Sequence, residues 1–247
     1  MGLELYLDLL SQPCSCIYVF AKNNIPFDFK PVELLKGGGL NIQEFSNINS
    51  LKKVHILRIE LTGLLFPLLS GKHCDSSVPE PEAQHPTHWY PFDIQKRAQV
   101  DEYRPWQDTT VRANASKILW LKGAFNVFLG VYLVTIISQL ALGELNNSLK
   151  KFAEQFLQDK PFIMGSKISL ADLVAIRELT QPIGAGCNTF EGWAKLGTWG
   201  SQVEEAVGKE LFQEAHEWIL NAQDLRKIQI DPQMKEEMKP QLLKMLK

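Results

Sequence analysis

The sequence predicts an α+β protein in which a small α/β domain is followed by a larger all-helical domain. Residues 3–9 alternate apolar and polar side chains, which is the period of a half-buried strand. A helical stretch and a second strand-like run at 27–34 follow, so the chain begins with a β-α-β unit. From Phe92 onward the chain is helical in character.

The boundary between the two domains is predicted from composition. A third strand is expected at 54–61, and the segment that follows it is rich in serine, proline, histidine and acidic residues, as linkers are. We therefore predict an α/β domain at residues 1–80, a linker at 81–91 and an all-helical domain at 92–247.

The composition is that of an ordinary globular protein, with 247 residues, 45% hydrophobic and 22% charged. A net charge of -2 offers no basic surface for nucleic acid. The four cysteines are too sparse and irregular for a secreted disulfide framework. The first residues include an acid and no basic stretch, so no signal peptide is predicted. We expect a cytoplasmic protein that binds neither nucleic acid nor membranes.

One segment challenges the expectation that the protein avoids membranes. Residues 123–143 carry no charge, and their length is about the span of a bilayer core. The polar residues Asn126, Thr135 and Ser138 lie inside this segment and weaken the membrane interpretation. A buried helix, broken near Gly130, is the favoured alternative.

Three further helices are predicted in the C-terminal domain. One covers residues 95–110, and Pro105 should kink or interrupt it. Another is expected at 146–156. The start of a third is signalled by Ser169, which is followed three residues later by Asp172, an acidic variant of the capping box.

The turn after the first strand contains Ser11-Gln12-Pro13, a polar cap with a proline suited to the first helical turn. From the residues alone, Ser11 is either a helix cap or a reactive hydroxyl. Cys14 and Cys16 are either a redox pair or unrelated thiols, and residues two apart on a helix diverge by about 200°, which disfavours a disulfide. A residue of interest at this turn is typical of a thioredoxin-like domain, in which ligands lie at the carboxyl ends of the strands.

Several stretches together resemble the theta-class glutathione transferases: "MGLELYLDLLSQPCSCIYVFAKNNIPF", "NSLKKV", "HWYPFDIQKRAQVDEY", "FLQDKPFIMGSKISLADLVAI" and "VGKELFQEAHEWIL". The resemblance implies the glutathione transferase fold, a thioredoxin-like domain followed by an all-helical domain. It implies an enzyme that conjugates the glutathione thiolate to small electrophiles, with peroxide reduction as a side activity. It also implies a homodimer that uses glutathione as a co-substrate and needs no other cofactor.

The resemblance also suggests roles for individual residues. Ser11 matches the serine that donates a hydrogen bond to the glutathione sulfur, and Arg112 matches an arginine that faces the electrophile pocket. From the residues alone, Arg112 is equally well a surface arginine. An aromatic residue at helical spacing, such as Trp120, is more often part of the core. The substrate-binding positions of the family correspond to Gln12, Lys53, Val54 and Trp120.

The resemblance breaks after Val54. His55 stands where the family has a proline. Further along the chain the family has a Glu-Ser pair, which opens a helix and binds the γ-glutamyl group. At the same distance from Val54, this sequence has Phe66-Pro67. The loss of these anchors predicts weaker glutathione binding and reduced activity. The alternative function is therefore a catalytically impaired binding or scaffold protein on the same fold.

Most of the histidines fall in this divergent stretch, beside Cys74. His85 and His88, with His73 or Cys74, form a candidate zinc site. No second cysteine pair is present and prolines interrupt the stretch, so a solvated linker is favoured and no metal is expected.

Overall fold

The structure of the protein, a computed structural model, describes residues 2–9, 26–32, 56–61, 64–69, 88–122 and 131–223, together with Cys16, Tyr18, Val19 and Lys22. Within these residues, four strands form one sheet and six α-helices account for most of the remainder. Cys16, Tyr18, Val19 and Lys22 are helical.

The described strands are β1 (Gly2–Leu7), β2 (Asp28–Pro31), β3 (Ile56–Leu61) and β4 (Leu64–Leu69), in the spatial order β2-β1-β3-β4. Strands β1 and β2 are parallel, and helical residues lie between them in the chain, so the predicted β-α-β unit is confirmed. Strand β3 is antiparallel to β1 and β4 is antiparallel to β3. The predicted third strand is confirmed, and it begins at Ile56.

Strand β4 was not predicted, because its sequence has no alternation and contains Pro67. Among the described strands it pairs with β3 alone, so it lies at an edge where a missing backbone N–H is tolerated. Phe66 lies opposite Ile59, and Pro67 lies opposite Arg58. Phe66 and Pro67, which stand in the sequence at the distance of the family's Glu-Ser pair, both lie inside this strand.

The described helices are α1 (Ile94–Thr109), α2 (Val111–Trp120), α3 (Val131–Lys151), α4 (Leu170–Gly184), α5 (Ala194–Val207) and α6 (Lys209–Leu220), and a π-helical turn (Phe152–Leu157) follows α3. The side chain of Asp93 caps α1 by accepting a hydrogen bond from the Lys96 backbone N–H at 2.9 Å. Helix α1 continues past Pro105 to Thr109, so the interruption is wrong, and of the two predicted effects of Pro105 only the kink stays a prediction. The Thr110 hydroxyl donates to the Trp106 carbonyl at 2.6 Å at the end of this helix.

Helix α3 corrects two expectations about the uncharged segment. It runs unbroken through Gly143 to Lys151, so the separate helix predicted at 146–156 is wrong. It is buried on one side only, because Val134, Ala141 and Leu145 are buried while Ile136, Gln139 and Leu140 are exposed. Residues 123–130 lie outside the described residues. None of the described helices is both long enough and apolar enough to cross a membrane.

Helix α4 forms the centre of the helical part, in contact with α1, α2, α5 and α6. Its predicted start is confirmed: Ser169 caps the helix, and the Asp172 carboxylate accepts hydrogen bonds from both the backbone N–H and the hydroxyl of Ser169, at 2.9 and 2.8 Å. The side chains along this helix are almost all buried, and they include the charged Arg177 and Glu178.

Gly184 allows α4 to approach α6 closely. A Cβ atom at this position would lie 1.8 Å from the carbonyl oxygen of Ile219, which is backbone and cannot rotate away. Gly184→Ala should therefore lower the free energy of unfolding by about 3 kcal/mol or more, measured by urea denaturation. Gly143→Ala is the matched control, because Gly143 is exposed within α3 and a Cβ there meets nothing within 4 Å. It should stabilise the protein by about 0.5–1 kcal/mol, and equal losses from both variants would contradict the packing argument.

Candidate functional site

The predicted site lies at the carboxyl end of β1. Leu7 and Leu9 are buried there. The Val32 backbone N–H, one residue after the end of β2, donates a hydrogen bond to the Leu7 carbonyl at 2.9 Å. The chain thus remains buried in the core as far as Leu9, two residues before Ser11. The predicted site residues Ser11, Gln12, Lys53 and Val54 lie outside the described residues, so their roles stay predictions.

Helix α4 contacts the chain on both sides of the predicted turn. The Arg177 Nη2 atom lies 3.4 Å from the carbonyl oxygen of Leu9, to which it donates a hydrogen bond. The Cys16 Sγ lies 3.5 Å from the carbonyl oxygen of Leu173. Leu173 and Arg177 are four residues apart and so share one face of α4. One face of a central helix therefore contacts both flanks of the segment that contains Ser11 in the sequence.

The helix that contains Cys16 is also attached to α6. The Tyr18 hydroxyl donates a short hydrogen bond to the Glu214 carboxylate, and Lys22 lies 3.8 Å from the same carboxylate. Burial raises the pKa of Tyr18 above its usual value, and the hydrogen bond and charge of Glu214 add to the rise. Tyr18 also packs edge-on against Phe29 of β2, with ring centroids 5.1 Å apart. These contacts join the sheet to the helical part beside the predicted site.

Arg112 is held by two carboxylates. Its Nη1 lies 2.5 Å from Asp108, one turn earlier in the chain, and its Nε lies 4.0 Å from the buried carboxylate of Glu178 on α4. Burial raises the pKa of Glu178 to about 7, while the charges of Arg177 and Arg112 act in the opposite direction.

Trp120 is the last residue of α2, the helix that also contains Arg112. Its side chain is half-buried. Eight residues separate the two positions, which places them about 12 Å apart along the helix axis and about 80° apart around it. The structure therefore places Arg112 and Trp120 on neighbouring faces of one helix.

The comparison with known proteins identifies the family. No family model matches the chain. It is 50% identical to glutathione S-transferase theta-1 of Gallus gallus, with all of both chains covered. The chain belongs to the theta class of the glutathione S-transferases. Its structure is similar to apo human glutathione S-transferase T1-1, with 44% identity, a TM-score of 0.83 and full coverage of both chains. Human glutathione transferase theta-2, solved in complex with glutathione, is 34% identical, with a TM-score of 0.83 over 99% of this chain and 100% of that one.

Membership of the theta class confirms the resemblance on which the functional predictions rest. The glutathione transferase fold, with a thioredoxin-like domain and an all-helical domain, is confirmed as well. The protein is a glutathione transferase, as predicted. Nothing in these comparisons favours the alternative of an impaired scaffold.

Part of the zinc hypothesis for this theta-class transferase falls on described residues. His88 stacks on Trp89, with ring centroids 5.2 Å apart. Burial, and next the charge of Lys167, lower the pKa of His88. His73, Cys74 and His85 lie outside the described residues, and within the part of the chain that is described no group of histidine, cysteine and acidic side chains is arranged to hold a metal.

Three buried polar residues of the transferase were missed in the sequence. Arg177 and Glu178 are 1% and 2% exposed in α4, and His216 is 3% exposed in α6. One signal for the first two was available, because they interrupt the apolar run between Ile176 and Leu179 of a strongly apolar helix. His216 gave no such signal, since one histidine in an amphipathic helix fits either face.

His216 makes the stability of the transferase depend on pH. Its Nδ1 lies 2.8 Å from the Phe212 carbonyl, whereas the described residues provide no hydrogen-bond partner for its Nε2. Burial, and next the charge of Arg177, lower the pKa of His216 to about 3. Below the unfolded pKa of ~6.5 the unfolded state binds a proton that the folded state excludes, so stability falls as the pH drops from about 6.5 towards 3. Glu178 acts in the opposite sense between about pH 4.5 and 7, because its pKa is raised on folding.

His216→Asn isolates this contribution, because an asparagine amide still reaches the Phe212 carbonyl but does not titrate. The difference in the free energy of unfolding between wild type and variant should change by about 1.4 kcal/mol per pH unit below about pH 6.5. Urea denaturation at pH 7.5, 6.0 and 5.0 measures it, and the Glu178 contribution cancels in the difference. A constant difference across this range would show that His216 does not set the pH dependence.

Proposed function

We propose that this transferase activates glutathione through Ser11, whose hydroxyl donates a hydrogen bond to the glutathione thiolate. A free thiol has a pKa of ~8.5, so only a few per cent is ionised at neutral pH. A hydroxyl donor and the positive end of the following helix both stabilise the anion. The observation that supports this role is the anchored end of β1, which is followed by helical residues as the sequence predicted.

The remaining site residues take roles around that sulfur. Gln12, Lys53 and Val54 bind glutathione, and Val54 does so through its backbone. Arg112 and Trp120 face the electrophile. The support for Arg112 is its fixed position between Asp108 and Glu178, which leaves a guanidinium ready to receive an anionic leaving group.

The proposed domain division follows the sequence prediction: residues 1–80 bind glutathione, 81–91 connect and 92–247 bind the electrophile. The described sheet ends at Leu69 and the first described helix after it begins at Ile94, which supports a boundary between them.

We also propose a cytoplasmic location, for which cell fractionation followed by immunoblotting is the test.

The function is tested by two measurements on the purified protein. We expect retention on immobilised glutathione with elution by free glutathione, and conjugation of glutathione to a small aromatic electrophile that follows Michaelis–Menten kinetics. Folded protein that flows through the column and does not turn over the electrophile would support the scaffold alternative instead.

The protein is proposed to act as a homodimer with glutathione and a small electrophile as its ligands. Ile136 and Leu140 are four residues apart on α3, so they form one apolar strip, and they are 38% and 67% exposed. Exposed apolar side chains on one helix face suit the centre of an interface between two copies.

Leu140→Glu should shift the protein from dimer to monomer, because a carboxylate in an apolar interface loses its hydration without gaining a partner. Sedimentation velocity across a ten-fold range of concentration measures the change. Gln139→Glu introduces the same charge at the adjacent exposed position and should leave the dimer intact. A dimer that persists in Leu140→Glu would place the interface elsewhere.

A further inference from the structure

Arg177 is a buried cation with no part in the functions assigned above. It is 1% exposed, and it lies in the interior of the central helix α4. Burying a guanidinium is unfavourable unless hydrogen bonds and opposite charges offset the loss of water, and an apolar side chain of similar volume often replaces a buried charge at no cost in stability. Stability alone therefore does not explain an arginine here.

Within the described residues, charged and polar groups face Arg177 from its own helix, from α6 and from the sheet side. Glu178 is the next residue on α4, and it interacts in turn with Arg112 and Asp108 of the preceding helices. His216 faces it from α6, where the arginine charge disfavours protonation of the imidazole. From the sheet side, the carbonyl oxygen of Leu9 accepts a hydrogen bond from Nη2 at 3.4 Å.

The contact with Leu9 joins parts of the chain that are distant in sequence but adjacent in function. Leu9 lies two residues after the end of β1 and precedes Ser11 by two residues. On the other flank of Ser11, Cys16 lies 3.5 Å from the carbonyl oxygen of Leu173, on the same face of α4 as Arg177. The position of α4 thus constrains the chain both before and after the proposed serine.

We infer that Arg177 is a positioning residue for the transfer reaction, which holds the end of β1 through the Leu9 carbonyl and so sets the direction in which the Ser11 hydroxyl donates. The inference rests on the proposed role of Ser11. A hydroxyl that is displaced by a fraction of an ångström or rotated still allows glutathione to bind, but it stabilises the thiolate less. The effect should therefore appear in the ionisation of bound glutathione and in kcat, more than in the KM for glutathione.

The test compares Arg177→Met with Arg177→Lys and with a matched control. Methionine fills a similar volume without charge or donor, whereas lysine keeps one charged donor within reach of the Leu9 carbonyl. Arg97→Met is the control, because Arg97 also donates to a backbone carbonyl, that of Pro91 at 3.0 Å, but it is half-buried on α1 and away from the end of β1 in the sequence. The ultraviolet absorbance of the thiolate reports the pKa of the bound glutathione thiol, and steady-state kinetics are measured at pH 6.5 and 9.

Arg177→Met should raise the pKa of the bound thiol by about one unit and lower kcat about ten-fold at pH 6.5, with recovery at pH 9 where the thiol ionises without help. Arg177→Lys should lie between this variant and wild type, and Arg97→Met should match wild type. A folded Arg177→Met protein with an unchanged thiol pKa and kcat would overturn the inference. If the methionine variant does not fold, the lysine variant decides it by the same two measurements.

The double variant Ser11→Ala/Arg177→Met separates failure of this inference from failure of the proposed function. If Arg177 acts through Ser11, its substitution should have little further effect once the hydroxyl is absent. Independent, additive effects of the two substitutions would refute positioning through Ser11 while leaving the role of Ser11 intact. An unchanged thiol pKa in Ser11→Ala alone would instead refute the proposed role of the serine.

Discussion

Ser11→Ala is expected to lower the rate of glutathione conjugation by ten-fold or more at neutral pH. Removal of the hydroxyl takes away the donor that stabilises the thiolate, so the thiol pKa returns towards ~8.5 and less of the bound glutathione is reactive. A ten-fold loss corresponds to about 1.4 kcal/mol, which is within the range of one hydrogen bond to a charged acceptor. Initial rates at saturating glutathione and electrophile measure the effect as kcat.

The pH dependence identifies the cause of this loss. If the hydroxyl acts on thiolate formation, the rate of the alanine variant should approach that of wild type as the pH rises above the pKa of the free thiol. Ser201→Ala is the matched control, because Ser201 is an exposed serine on α5 whose hydroxyl donates to the Gly197 carbonyl. Equal rates for Ser11→Ala and wild type at pH 6.5 would remove Ser11 from the mechanism.

The sequence was informative where local signals agree with tertiary structure. The alternation in residues 3–9 predicts a strand, and the pair Ser169 and Asp172 predicts the start of a helix. The structure contains both. The family resemblance, rather than any single residue, was what indicated the reaction.

The errors arise where tertiary context overrides a local rule. Pro67 argues against a strand, yet the edge position of β4 leaves its missing N–H without consequence. Pro105 argues for a helix end, and α1 continues to Thr109. Gly143 lies in the middle of one long helix, because the buried face of α3 outweighs the propensity cost of about 1 kcal/mol.

The partners of the buried polar residues could not be predicted, for a different reason. The apolar run around Arg177 and Glu178 signals burial, but it does not indicate partners such as Leu9, which lies 168 residues away. Such contacts have no local signature, so the positioning role of Arg177 could be inferred only from the folded chain.

The largest expected effect on stability is that of Asp172→Ala, because this carboxylate connects three parts of the helical domain. It is 0% exposed, and it accepts hydrogen bonds from the Ile163 backbone N–H at 2.9 Å and the Trp199 indole N–H at 3.0 Å, in addition to two from Ser169. Burial raises its pKa, while these four donors act in the opposite direction.

Alanine leaves these four donors buried without an acceptor and removes the carboxylate half of the capping box of α4. Each buried unsatisfied donor costs about 1–3 kcal/mol, and the loss of a cap costs ~1 kcal/mol. Since some donors will find water after relaxation, we expect the free energy of unfolding to fall by about 4 kcal/mol or more, measured by urea denaturation at pH 7.5.

Asp159→Ala is the control, because Asp159 is a fully exposed partner of Lys195 at 3.0 Å and its loss should leave stability nearly unchanged. Asp172→Asn should lie between these two variants, since an amide keeps one acceptor oxygen but forces a donor against the remaining N–H groups. If Asp172→Ala unfolds at the same urea concentration as Asp159→Ala, the carboxylate is not the connection that holds the start of α4 to Ile163 and α5.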